Sequence, residues 1–274
     1  TLETPYGTKD LLPIEAIGKR NVEQILSNLF ISWGYDEVVT PTIEYLDTLA
    51  PRIQSNELSI FKFFSNNKTL ALRNELTTPI ARLVSSRFKD ITSPLKLSYI
   101  GNVFRFEQIQ MGRQCEFHQA GVELMGSNSA SADAEIIELS HASVMNFGAK
   151  QEMFTVRVNN RQLINRLMSQ FLKLDIVGST MMMKLLDRKN KIPAEEFKRQ
   201  AIEIFGAQAS EGLPKLVKMI SMKSVDDLPS ELASDDSVKQ LREVMKLLRQ
   251  KGIENAVFDV TLMRGLDYYT GMVF

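Results

Sequence analysis

The residues with the most chemistry to offer lie near the end of the sequence, where 257–274 read VFDVTLMRGLDYYTGMVF. An alternating apolar strand runs into Arg264, a glycine and the adjacent phenols Tyr268 and Tyr269. A buried guanidinium left unpaired costs several kcal/mol on the order known for isolated buried charges, so Arg264 needs an anion. That anion is either a carboxylate-bearing ligand or a protein carboxylate such as Asp267 or Asp259, with the tyrosines then ordinary strand aromatics. A second stretch, 96–126, offers two extended runs around a polar loop. Phe104 and Phe106 alternate with Arg105 and Glu107, and period two puts both charges on one face. In the return run Gln119, Gly121 and Glu123 share a face with Phe117, Gln119 and Glu123 lying about 13 Å apart by strand rise. Such a face is ordinarily solvated. Here arginine, glutamine and two glutamates surround a glycine that permits close approach, a mixture suited to a ligand. In the third stretch, 69–83, strand alternation leads to Glu75 and Thr77, and a helix is expected with Thr78 as its cap and Pro79 at its first position. Taken alone, these residues read as capping, with Glu75 a favourable charge near the positive helix end.

Four segments in this order resemble one known family. GTKDLLP at 7–13, LRNELTTPIAR at 72–82, FRFEQIQMGRQCEFHQAGVE at 104–123 and RGLDYYTG at 264–271 look like the catalytic domain of histidyl-tRNA synthetase. TTPIAR and the MGRQ loop look more like the paralogous branch that abandoned aminoacylation, the regulatory subunit of ATP phosphoribosyltransferase in histidine biosynthesis. By this resemblance the histidine pocket falls on Glu75, Thr77, Gln119 and Glu123, joined by Arg264, Tyr268 and Tyr269. Arg105 matches the arginine that holds a carboxylate or an ATP phosphate, and Arg113 one that meets the nucleotide in synthetases. The chemistry agrees: Glu75, Gln119 and Glu123 accept hydrogen bonds from an ammonium or an imidazole N–H, and planar arginines suit a carboxylate.

Departures from the synthetase pattern favour the regulatory branch. Asn74 and Leu76 flank the glutamate where synthetases have proline and glycine, and Cys115 stands where a basic residue is usual. The sequence also reaches Phe274 without the glycine-rich strand and helix that carry the last ATP-binding arginine, or an anticodon-binding domain. The resemblance thus implies a non-catalytic regulatory subunit that binds histidine, forms a homodimer, and joins a separate catalytic phosphoribosyltransferase subunit that condenses ATP with phosphoribosyl pyrophosphate. It implies no cofactor and no metal. The alternative is a catalytic fragment of a histidyl-tRNA synthetase.

Composition sets bounds on these readings. In 274 residues, 44% are hydrophobic and 24% charged, enough for one large core and a smaller satellite. Lys+Arg and Asp+Glu are both 33, and this neutrality argues mildly against a nucleic-acid partner. One cysteine excludes an intrachain disulfide, and with only His118 and His141 no zinc cluster is expected. No apolar run approaches a membrane span and no secretion signal opens the sequence, so the cytoplasm is expected.

The expected architecture is α+β, a mostly antiparallel class II synthetase-like sheet flanked by helices. A core domain of 1–160 and 256–274 is expected to be interrupted by a helical insertion at 161–255. A first helix over 14–33 carries Val22, Ile25, Leu26, Leu29, Phe30 and Trp33 on one face, read as core, and Gly34 stops it. A hairpin turns at Ser65, Asn66, Asn67 and Lys68. Helices follow over 130–144 and 237–249, with His141 assigned no role. Met181 to Met183 read as core filler, and 225–236, with its aspartates, as a polar linker.

Overall fold

The computed structural model describes residues 2–49, 60–88, 94–106, 114–263 and 269–274. By internal contact the chain divides into two compact units, Thr1–Ser127 and Asn128–Phe274.

In the first unit, helix α1 (Pro13–Ser32) has proline at its first position, and the Glu15 carboxylate accepts the Leu12 N–H at 3.0 Å. Trp33 closes the helix, half-buried, and Gly34 follows at φ +80°, a left-handed conformation that suits glycine. Only part of the apolar face is core. Phe30 is buried, whereas Val22 and Ile25 are exposed, together with Ile14 and Ile17 nearer the start.

Strands β1 (Asp36–Glu37), β5 (Leu95–Phe104) and β6 (Glu116–Met125) form one sheet, ordered β1-β5-β6. The β5–β6 pair is antiparallel over ten residues on each strand, and β1 joins β5 in parallel. A second antiparallel sheet has the order β2-β4-β3, from β2 (Ile43–Tyr45), β3 (Lys62–Ser65) and β4 (Lys68–Leu72). Asn66 and Asn67 turn the β3–β4 hairpin at φ 50° and 58°, left-handed angles that asparagine tolerates.

Helix α2 (Leu46–Leu49) follows β2 directly, and α3 (Thr77–Arg87) follows β4. The helix α3 starts earlier than expected. Thr78 is not its cap; the Glu75 side chain is the acceptor, taking the Thr78 N–H at 2.8 Å. Pro79 therefore sits inside the first turn, where a missing N–H costs nothing. Buried Glu44 on β2 is gripped by Arg82 on α3, whose Nη2 donates to Oε1 at 2.7 Å and whose Nε is shared between Oε2 at 3.0 Å and Oε1 at 3.1 Å. The arginine of TTPIAR is thus a fastener between sheet and helix.

The second unit has one core. Helices α4 (Ala130–Asn146), α5 (Arg161–Arg166), α6 (Ile176–Asp187), α7 (Ala194–Phe205), α8 (Ala209–Ser221) and α9 (Asp236–Gln250) accompany β7 (Val156–Asn160), β8 (Ala256–Phe258) and β9 (Met272–Val273). The sheet order is β8-β7-β9, with β8 parallel and β9 antiparallel to β7. Ile137, Val158, Leu163, Met182, Leu241 and Phe258 belong to a single buried cluster. The stretch 161–255 therefore shares its core with α4, β7 and β8. Met182 and Met183 are buried in it and Met181 is exposed. The polar run 225–236 is no free linker: Val225, Leu228 and Leu232 are buried and anchor two 3-10 turns on the core, while the charges between them face water. Among the described residues, no helix is long and apolar enough to cross a membrane.

Candidate functional site

The β5–β6 register decides which side chains share a face. Tyr99 pairs with Gly121, Gly101 with Gln119, Leu97 with Glu123 and Val103 with Phe117. Residues directly opposite one another project the same way, so Gln119, Gly121 and Glu123 stand on the face that Tyr99 occupies from the neighbouring strand. Leu97, Tyr99 and Val103 bury their side chains there with Leu76 and Ile80. The face is half core and half polar.

At its centre is Tyr99, only 6% exposed. Its Oη lies 3.4 Å from Gln119 Nε2 and shares a side-chain hydrogen bond with Thr77. Burial pushes the phenol pKa well up, with the Glu123 and then Glu75 carboxylates adding to the shift and the Thr77 and Gln119 hydrogen bonds opposing it. Four of the residues expected to hold a ligand, Glu75, Thr77, Gln119 and Glu123, thus act on one phenol. Thr77 and Glu75 arrive from the start of α3, where Glu75 also closes the first turn. Gln119 Oε1 is buried and has no hydrogen-bond partner among the described residues. A buried amide oxygen without a donor is uncommon and marks a place where a donor fits.

Gly121 permits close approach, but what approaches is the protein itself. A Cβ there would lie 2.5 Å from Tyr99 Oη and 2.7 Å from its Cζ, so the ring lies down on the glycine. Arg105, just past β5, donates from Nε to the Asn74 carbonyl at 2.9 Å, and its guanidinium stacks 5.2 Å from the Phe117 ring centroid. It sits on the same side as Phe117, next to the polar face. Tyr269 lies in the second unit and is 44% exposed. Arg113, Arg264 and Tyr268 fall outside the described residues, as does Glu107.

Two residues here escaped the sequence reading. One is Tyr99, whose only signal was a period-two aromatic opposite a glycine, visible once the register is known. The other is Arg73, 6% exposed, which donates to the carbonyls of Asn102 and Thr40 at 2.7 Å each. Burial lowers its pKa, the Glu44 carboxylate opposing. A Cβ on Gly101 would meet Arg73 Nη2 at 2.6 Å, so this second glycine makes room for the guanidinium. Cys115 is also accounted for: it is buried, and its N–H donates to the Gly7 carbonyl at 2.7 Å. Among the described residues, no group of acidic, histidine or cysteine side chains is arranged to hold a metal.

Cavities also lie away from this face among the described residues. One of about 230 Å³ lies along α1, lined by Arg20, Glu23, Gln24, Ser27, Glu37 and Ile100. Another, of about 290 Å³, lies in the second unit beside Arg242, Lys246 and β8. Neither is lined by an expected ligand residue.

An α+β chain with a polar, acceptor-bearing face on a long antiparallel pair matches the class its motifs suggested. The histidyl-tRNA synthetase family model matches residues 7–274, and the chain belongs to that family. An ATP phosphoribosyltransferase regulatory subunit from Desulforamulus reducens is 37% identical over 281 residues, covering 98% of this chain and 67% of that protein. A histidine–tRNA ligase from Thermococcus kodakarensis is 35% identical, covering 100% of this chain and 64% of the relative. The solved structure of an ATP phosphoribosyltransferase regulatory subunit/histidyl-tRNA synthetase from Bacillus halodurans C superposes with a TM-score of 0.83 at 30% identity, covering 99% of this chain and 71% of that one. The chain thus spans about two thirds of the length of these curated relatives, 64% to 67%.

Proposed function

We propose that this chain is the regulatory subunit of an ATP phosphoribosyltransferase and binds histidine on the β5–β6 face. The observation that carries the reading is the buried Gln119 Oε1, without a partner among the described residues, on the face it shares with Glu123, an acceptor suited to an ammonium or an imidazole N–H. Similarity to the Desulforamulus reducens and Bacillus halodurans proteins supports the regulatory assignment. In this reading, which for these residues rests on the family resemblance, Arg264 takes the ligand carboxylate, Arg105 a carboxylate or a phosphate, Tyr269 serves the ring with Tyr268 counted among the ligand residues, and Arg113 is left for a phosphate. The partner is a separate catalytic subunit, and the setting is the cytoplasm. Exposed Val22, Ile25, Ile14 and Ile17 on α1 support self-association as a homodimer. The segment 161–255 is an insertion in descent, dividing a core of 1–160 and 256–274.

Histidine that weakens the active form of the complex must itself be bound more weakly by that form, by the same factor. The second reading, a catalytic fragment of a histidine–tRNA ligase, is favoured by relatives such as that of Thermococcus kodakarensis. Purified chain mixed with a catalytic phosphoribosyltransferase subunit separates the two. A regulatory subunit raises product formation and gives no histidine-dependent exchange of pyrophosphate into ATP; exchange without activation sinks the proposal. Within the pocket, Glu123→Ala and Arg264→Ala are each expected to reduce calorimetric histidine affinity at least tenfold, on the order of 1.4 kcal/mol or more.

A further inference from the structure

We propose that Tyr99 sets the polarity of the ligand site, accepting the Gln119 Nε2–H and so turning Gln119 Oε1 toward the ligand as an acceptor for an N–H group. The inference rests on the proposed ligand. A glutamine side chain presents a donor at one end and an acceptor at the other, and the end that is anchored decides which is left over. Tyr99 Oη lies 3.4 Å from Nε2, and Oε1 is the atom left buried without a partner among the described residues.

The anchor is rigid. Tyr99 lies directly opposite Gly121, with so little space above the glycine that a methyl group would sit 2.5 Å from Oη. Gln119 and Glu123 flank Gly121 by two residues along the same strand, on the face the phenol occupies. Its hydrogen bond to Thr77 ties the hydroxyl to the start of α3 as well. A phenol packed on the glycine and tied to Thr77 does not follow a rotating amide, and the amide is held instead. Were the amide reversed, its NH2 would face the ligand, and a site lined by Glu75 and Glu123 would lose one of its acceptors for a cationic nitrogen. Tyr99 is therefore a positioning residue whose effect falls on ligands that carry the N–H Gln119 accepts and spares those that lack it.

The test compares histidine with two probes, imidazolepropionate, which lacks the ammonium, and 3-(2-thienyl)alanine, which lacks the ring N–H. Tyr99→Phe keeps the ring over Gly121 and removes only the hydroxyl. Its expected effect is a roughly tenfold fall in the preference for histidine over one of the two probes, with affinity for that probe unchanged. Adding Gln119→Glu places an acceptor at both ends of the side chain, and this double variant is expected to regain the preference. Wild-type chain that binds histidine selectively while Tyr99→Phe retains both preferences overturns the role of Tyr99 alone. Loss of the preference without recovery in the double variant also overturns it, as a packing effect. A wild-type chain that binds none of the three compounds overturns the proposed ligand, and the Tyr99 role with it.

Discussion

Two glycines in this chain do opposite things, and substitution separates them. Gly121 lies beneath Tyr99, and an alanine there forces the ring off strand β6 against a well-packed core, a strain of about 1–3 kcal/mol. Gly18 lies inside α1 with nothing within 4 Å of its would-be Cβ, so alanine there relieves the backbone entropy that glycine brings to a helix, gaining up to about 1 kcal/mol. Urea denaturation of the two variants is expected to move the midpoint in opposite directions, and a stable Gly121→Ala protein would refute the packing described for Tyr99. Gln119 and Glu123 were legible as polar positions on one period-two face, whereas Glu75 and Thr77 read alone as helix capping and joined them only through the family resemblance. The sequence did not identify Tyr99, since a tyrosine in an apolar strand looks like core until its partner across the ladder is known. Gly121 was read as permitting a close approach, and that the approaching group is Tyr99 was hidden for the same reason.

Elements were legible where local chemistry alone forms them. Asn66 and Asn67 turn the hairpin by their own tolerance for positive φ, and Asp235 caps α9 by accepting the Ser237 N–H at 2.9 Å. The run 225–236 was misread because Val225, Leu228 and Leu232 are too few to show a period, yet each inserts into the core. The amino-terminal arm is fixed in an equally unadvertised way: Gly7, at φ +77°, would clash with Cys115 Sγ if it bore a Cβ. Gly7→Ala is therefore expected to detach the arm and raise the rate at which Cys115 reacts with a thiol reagent in native protein, while total thiol under denaturing conditions stays the same.

On the opposite side of the β5–β6 pair, His118 Nε2 lies 3.8 Å from Glu23 on α1, which also takes Lys19 at 2.6 Å. Burial lowers the His118 pKa, Lys19 and Arg73 add to the shift, and Glu23 and Glu116 oppose it. The folded chain then takes up its proton at lower pH than the unfolded chain, whose histidine titrates near about 6.5. Stability is expected to fall as pH drops below that value, and His118→Asn should flatten the decline in urea midpoint between about pH 7.5 and about pH 5.5.

At the scale of the whole molecule the two units differ in how much of their apolar surface they bury internally. Among the described residues, unit 2 gathers most of its buried apolar side chains into one cluster, whereas unit 1 divides its own between two small ones and leaves Ile14, Ile17, Val22 and Ile25 exposed. Calorimetry is expected to show unit 1 melting first. If the α1 face joins two copies, the temperature of that first transition rises with protein concentration while the second stays fixed, because association stabilises only the state that associates. A first transition independent of concentration would count against self-association through α1.

The position of Trp33 turns this asymmetry into something optical. It is the only tryptophan in the chain, half-buried at the end of α1, so selective indole excitation sees unit 1 and is blind to unit 2. Emission from the unmodified protein therefore isolates loosening of the helix that packs on the back of the β5–β6 pair, without any introduced dye.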